Sequence, residues 1–154
     1  MSDVFEPVDA HDARLALGAT GLLATFNTAG VITSTDVHVA RTLGLLCGES
    51  DQAVLLAAAL ACRAVRAGSV CVELTAVADV APGLGLPWPD PADWSSAVAG
   101  SCLVEQGVLR WEAGLVYLDR YHEQESQVLD DLVARAASTP THDTALMAAS
   151  LDRV

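Results

Sequence analysis

The sequence contains no lysine: all eight of its basic residues are arginine, against 20 Asp and Glu, for a formal net charge of −12. A phosphate-cradling G-x-x-x-x-G-K-[ST] loop needs its lysine to reach the terminal phosphates, so the chain cannot be a P-loop ATPase by itself. The same deficit argues against autonomous nucleic-acid binding, where clustered Lys and Arg on phosphates supply most of the affinity. Aromatic residues are scarce at 5%. Cys47, Cys62, Cys71 and Cys102 lie 15, 9 and 31 residues apart and form no C-x-x-C, and each has apolar neighbours, which predicts buried free thiols rather than a disulfide frame or a zinc site. A membrane-length apolar run is missing too. The most apolar stretch, residues 53–61 (AVLLAAALA), is closed by Asp51 and Arg63 and falls well short of the ~20 residues a spanning helix needs. The start, MSDVFEPVDAHD, is acidic where a signal peptide would be basic and then apolar. A cytoplasmic protein is therefore expected.

What is present is a single domain's worth of Ala, Leu and Val in amphipathic segments, 52% of the chain being hydrophobic. Residues 1–8 are expected to fray. Apolar positions from Leu15 to Phe26 recur at helical spacing and predict a helix over about 10–27. A second helix is expected to begin at Ser34-Thr35-Asp36 and stop at Gly48, and a third, capped by Ser50 or Asp51, to end before Gly68. Residues 69–74 (SVCVEL) read as a short strand, 75–81 as one or two helical turns, and 81–91 as a Pro- and Gly-rich loop that folds Trp88 back onto the core. A helix over about 92–101 follows. Two short alternating runs around Glu112-Ala113-Gly114 then predict a β-hairpin over 108–118. Asp119 is expected to open a long final helix, and residues 138–154 a linker and the start of another.

The fold class is thus mainly α: a helical domain with a short strand and a β-hairpin, winged-helix-like in its second half, with the hairpin as wing. The segment in the recognition-helix position, PADWSSAVAGS, carries no Lys or Arg, which excludes direct base reading there.

Constellations for chemistry are few. His122 and Glu125 are three apart and share a helix face, as metal ligands do, but a charged first turn complementing the helix dipole accounts for them. His38 lacks a Cys or His at metal spacing, and no serine has a recognisable histidine partner. Arg120 and Tyr121 are of the types enriched at protein interfaces; packing of Tyr121 under the hairpin, with Arg120 paired to Asp119 or Glu123, is the alternative. The candidate partner-facing residues are Trp111, Tyr117, Arg120, Tyr121, His122 and Glu125. No catalytic, cofactor-binding or metal-ligating residue is assigned.

Residues 36–74 (DVHVARTLGLLCGESDQAVLLAAALACRAVRAGSVCVEL), with 86–94 (LPWPDPADW) and 115–132 (LVYLDRYHEQESQVLDDL) in that order, resemble the N-terminal region of RecD, the alpha subunit of exodeoxyribonuclease V. The resemblance runs over about residues 13–137. It implies a non-catalytic assembly domain at 1–137 leading, through 138–154, to a helicase core that is absent from this sequence. It further implies RecC-like and RecB-like partner subunits, DNA engaged only through the complex, no membrane or small-molecule ligand, and a place in double-strand break repair. Since the ATP site and translocation motifs of that family lie downstream, no catalytic residue carries over. Ser69 stands where many relatives have His, and His122 where Trp is common. The competing reading is a stand-alone acidic winged-helix-like module that regulates transcription or sequesters a partner, and an enzyme with an unrecognised His/Glu site is a third.

Overall fold

The computed structural model describes residues 4–138. The helix expected over 145–154 lies outside the described residues. Two compact units divide the chain, residues 1–123 and 124–154.

The first unit is organised around the Ala-rich helix. Helix α3 (Gln52–Arg66) is capped by Asp51, whose side chain accepts from the Ala53 N–H. Every residue from Val54 to Ala61 on it is at most 7% exposed. A helix apolar on all sides must be enclosed on all sides, and its small residues let neighbours approach closely. Helix α1 (Gly21–Thr28) and helix α2 (Ser34–Cys47) pack on it. Gly44 of α2 makes that contact possible: a Cβ there would stand 2.6 Å from Leu55 Cδ2. Helix α2 starts in a capping box, Thr33 and Asp36 satisfying each other's orphan N–H groups, and ends at Gly48 in the left-handed conformation.

Strand β1 (Cys71–Glu73) follows, then a 3-10 turn (Val77–Val80), helix α4 (Pro91–Ala99) with Asp90 as cap and Pro91 at its first position, and one turn of helix α5 (Cys102–Glu105). The helix expected over 92–101 is α4, and beyond Gly100 and Ser101 the short α5 follows as an element not expected from the sequence. Strands β2 (Leu109–Glu112) and β3 (Leu115–Leu118) form the hairpin, and β1 adds antiparallel to β3, giving the order β1–β3–β2. Val72, Val116 and Trp111 stand in one cross-strand row, and Cys71, Tyr117 and Arg110 in the next. Trp88 does return to the core, its ring 4.4 Å from that of Phe26 in an edge-on contact. Trp94 is 1% exposed and its indole N–H donates to the Ala53 carbonyl at 2.7 Å.

Two expectations fail at the N-terminus. The helix predicted over 10–27 is only α1, and residues 10–18 form turns. Gly18 and Gly21 both have positive φ, +83° and +62°, which ends any helix reaching them. The buried Asn27 side chain holds the turns instead, accepting from the Ala16 N–H and donating to the Arg14 and Ile32 carbonyls. Residues 4–8 do not fray: the Phe5 N–H donates to the Gly30 carbonyl, the Val8 N–H to Asp12, and the Arg14 guanidinium lies 4.5 Å over the Phe5 ring.

Helix α6 (Asp119–Ala137) crosses from the first unit into the second and buries none of its residues. Among the described residues no helix is long and apolar enough to cross a membrane.

Candidate functional site

Of the candidate residues, Trp111 and Tyr117 lie on the hairpin strands, and Arg120, Tyr121 and His122 on the first turn of α6. A two-residue loop joins β2 to β3, with both Ala113 (φ +50°) and Gly114 (φ +85°) in the left-handed region, the geometry of a tight hairpin whose twist matches its strands. The register pairs Glu112 with Leu115 beside the turn and Leu109 with Leu118 at the other end, where the Asp119 N–H donates to the Val108 carbonyl. His122 Nε2 meets Glu112 Oε2 at 2.7 Å, and its ring stands edge-on to Tyr117 with centroids 5.2 Å apart. Tyr117 is thereby buried, at 8% exposure, beneath the imidazole. Arg110 of β2 pairs with Asp119. The Asp119 carboxylate is thus taken from across the hairpin, and Arg120 forms no ion pair among the described residues. Arg120 is exposed, Tyr121 and Trp111 are half-buried, and Glu125, in the second unit, is exposed. The imidazole of His122 is engaged by Glu112; among the described residues no three His, Cys, Asp or Glu groups converge as a metal site would need.

The cysteines are free and half-buried rather than buried. Burial first, and the charge of Asp36 second, push the Cys62 thiol up to about 11. The Cys102 thiol donates to Glu49 Oε2 at 3.2 Å, and that hydrogen bond raises its pKa. For Glu49 burial works upward, but hydrogen bonds from the Asp51 and Ser50 N–H groups and from Cys102 outweigh it and hold the carboxyl low. Glu49 also edges a cleft of about 160 Å³ with Arg41, Leu23 and Leu55. The Glu49 carboxylate thus ties the turn between α2 and α3 to the start of α5; the sulfur positions and the Glu49 contact are side-chain neighbourhoods that residue spacing does not encode.

The N-terminal domain of RecBCD enzyme subunit RecD is the family whose profile matches, over residues 28–151. The chain belongs to the RecD N-terminal domain family. It is similar to RecBCD enzyme subunit RecD of Mycobacterium tuberculosis, 51% identical over 129 residues, 82% of this chain and 22% of that one. The RecD of Mycolicibacterium smegmatis is 49% identical over 113 residues, covering 73% of this chain and 20% of the relative. The chain thus spans about a fifth of the length of the curated relatives it matches. No solved structure matches it. The resemblance drawn from residues 36–74, 86–94 and 115–132 holds, and within this RecD-family domain His122 closes over the buried Tyr117 rather than standing as an unpacked surface group.

Proposed function

We propose that this domain is the non-catalytic assembly domain of a RecD-like subunit, joining RecB-like and RecC-like subunits in a DNA helicase/nuclease that acts in cytoplasmic double-strand break repair and recombination. The observation that carries the reading is the family match over residues 28–151. Residue types on the hairpin and the start of α6 support it: Arg120, exposed and in no ion pair among the described residues, and the half-buried Tyr121 and Trp111 are of the kinds that anchor protein interfaces. The chain's charge of −12 keeps it off DNA phosphates, so DNA is reached through the partner subunits. Co-expression of the 154-residue chain with RecB and RecC homologues tests the reading. Co-purification through gel filtration is expected, weakened by Arg120→Ala and Tyr121→Ala together; a clean failure of the wild-type chain to co-purify sinks the assembly role.

A further inference from the structure

Helix α6 carries an apolar stripe with no covering element among the described residues. Val128, Leu129, Leu132 and Val133 are 57%, 60%, 58% and 60% exposed. Their spacing of i, i+1, i+4 and i+5 places them along one side of the helix, with Ala136 continuing the line a turn later. Scattered surface leucines need no explanation, but four large apolar side chains aligned over two turns do.

The charges beside the stripe select what can cover it. At 3.6 residues per turn, Asp131 borders the stripe on the Val128 side and Asp130 borders it on the Val133 side, while Glu125 lies at its N-terminal end. Between Gln124 and Ala137 the only cation is Arg135. A second copy of α6 would bring these carboxylates against their own kind. Anionic lipid and nucleic-acid phosphate are repelled for the same reason. An apolar groove edged by arginine or lysine satisfies both the stripe and its borders.

We infer that the Val128–Val133 stripe of α6 docks, as a helix in a groove, into an apolar groove edged by basic residues on a partner subunit. This deepens the assembly reading above and rests on it. The stripe supplies the buried contact, and Asp130 and Asp131 meet the groove's basic edges and fix the helix's register.

The test uses the full 154-residue chain co-expressed with RecB and RecC homologues, comparing wild type with Leu129→Asp/Leu132→Asp. Both leucines are exposed, so circular dichroism and melting temperature of the isolated chain stay unchanged. Leu129→Gln/Leu132→Gln, which keeps helix propensity, is carried alongside in case the aspartates disturb the helix. Co-eluting complex is expected to fall at least about tenfold in both variants, since a charge or amide in the centre of an interface leaves it unpaired and dry. Gln127→Lys, on the opposite side of α6, should leave the yield unchanged, and Asp130→Asn/Asp131→Asn should flatten the salt dependence of binding. Wild-type recovery of the leucine variants overturns the inference while the assembly reading stands. Wild-type failure to co-purify removes both, and dimerisation of the isolated chain that the leucine variants abolish assigns the stripe to a second copy and overturns the inference as well.

Discussion

Asp36 shows how much a single side chain holds in this domain. It is 1% exposed, accepts from the Thr33 N–H and hydroxyl, and receives the Arg66 guanidinium at 3.0 Å from the far end of α3. Asp36→Ala removes a cap and an inter-helix tie together. Arg66 is half-exposed, so the ion pair itself adds little; the loss should be roughly 2–3 kcal/mol, mostly the cap and the unmade buried hydrogen bonds. Urea unfolding should show it as a lowered midpoint at unchanged slope. The same carboxylate acts on Cys62, whose thiol is pushed up to about 11 by burial first and Asp36 second. Only the thiolate is nucleophilic, so at pH 8 iodoacetamide should alkylate Cys62 in the native chain more than about a hundredfold more slowly than free cysteine, and mass spectrometry of the digest reads this directly. Asp12 moves the other way, its carboxyl held well below the ordinary range by the Arg14 hydrogen bond, then by the Val8 and Arg14 N–H groups. A carboxylate depressed in the folded state contributes stability that is present above its unfolded pKa and lost only as pH falls through the native one. Its carboxyl carbon resonance should therefore stay flat from pH 7 through the ordinary Asp range near about 3.9, while exposed aspartates titrate there. Titration of Asp12 with the others would refute the Arg14 clamp.

At the scale of elements, the hairpin turn is built on an unfavourable residue. Ala113 occupies the left-handed region at φ +50°, a position suited to Asn or Gly. Ala113→Asn should stabilise the domain by about 0.5–1 kcal/mol, relieving backbone strain without touching the core, and thermal melts would show an unchanged midpoint if the turn were not strained. Trp94→Ala, by contrast, empties a core site and orphans nothing but a carbonyl already in a helix; a loss of about 3–5 kcal/mol is expected on chemical denaturation. Elements whose cause is local were legible in the sequence: the Gly48 stop, the Asp51 cap, the all-apolar α3, the Ala113-Gly114 hairpin. What escaped depends on distant partners. The periodicity of Leu15–Phe26 suggests a long helix because nothing in it shows that the Asn27 amide reaches Ala16, Arg14 and Ile32 and ties residues 14–16 as turns. Of the candidate site, the hairpin and helix start were readable from alternation and turn chemistry. The His122–Glu112 contact and the burial of Tyr117 were not, because they are made across ten and five residues by side chains whose directions spacing leaves open.

For the molecule as a whole, charge is the governing quantity. With −12 spread over a chain lacking lysine, fluorescence anisotropy should detect no binding to duplex DNA at physiological salt; binding that persists there would contradict the proposal that DNA is met only through partner subunits. The strand order has its own whole-molecule consequence. β2 and β3 are joined by two residues, whereas β1 finds β3 only after the loop, α4 and α5 have been threaded between them. The hairpin can close early at small entropic cost, and the β1 pairing must wait for a much longer loop to close. The expected order of events in folding therefore runs from the hairpin inward. A change that loosens β1 should speed unfolding while leaving the folding rate nearly untouched, whereas one that weakens the hairpin should slow folding itself.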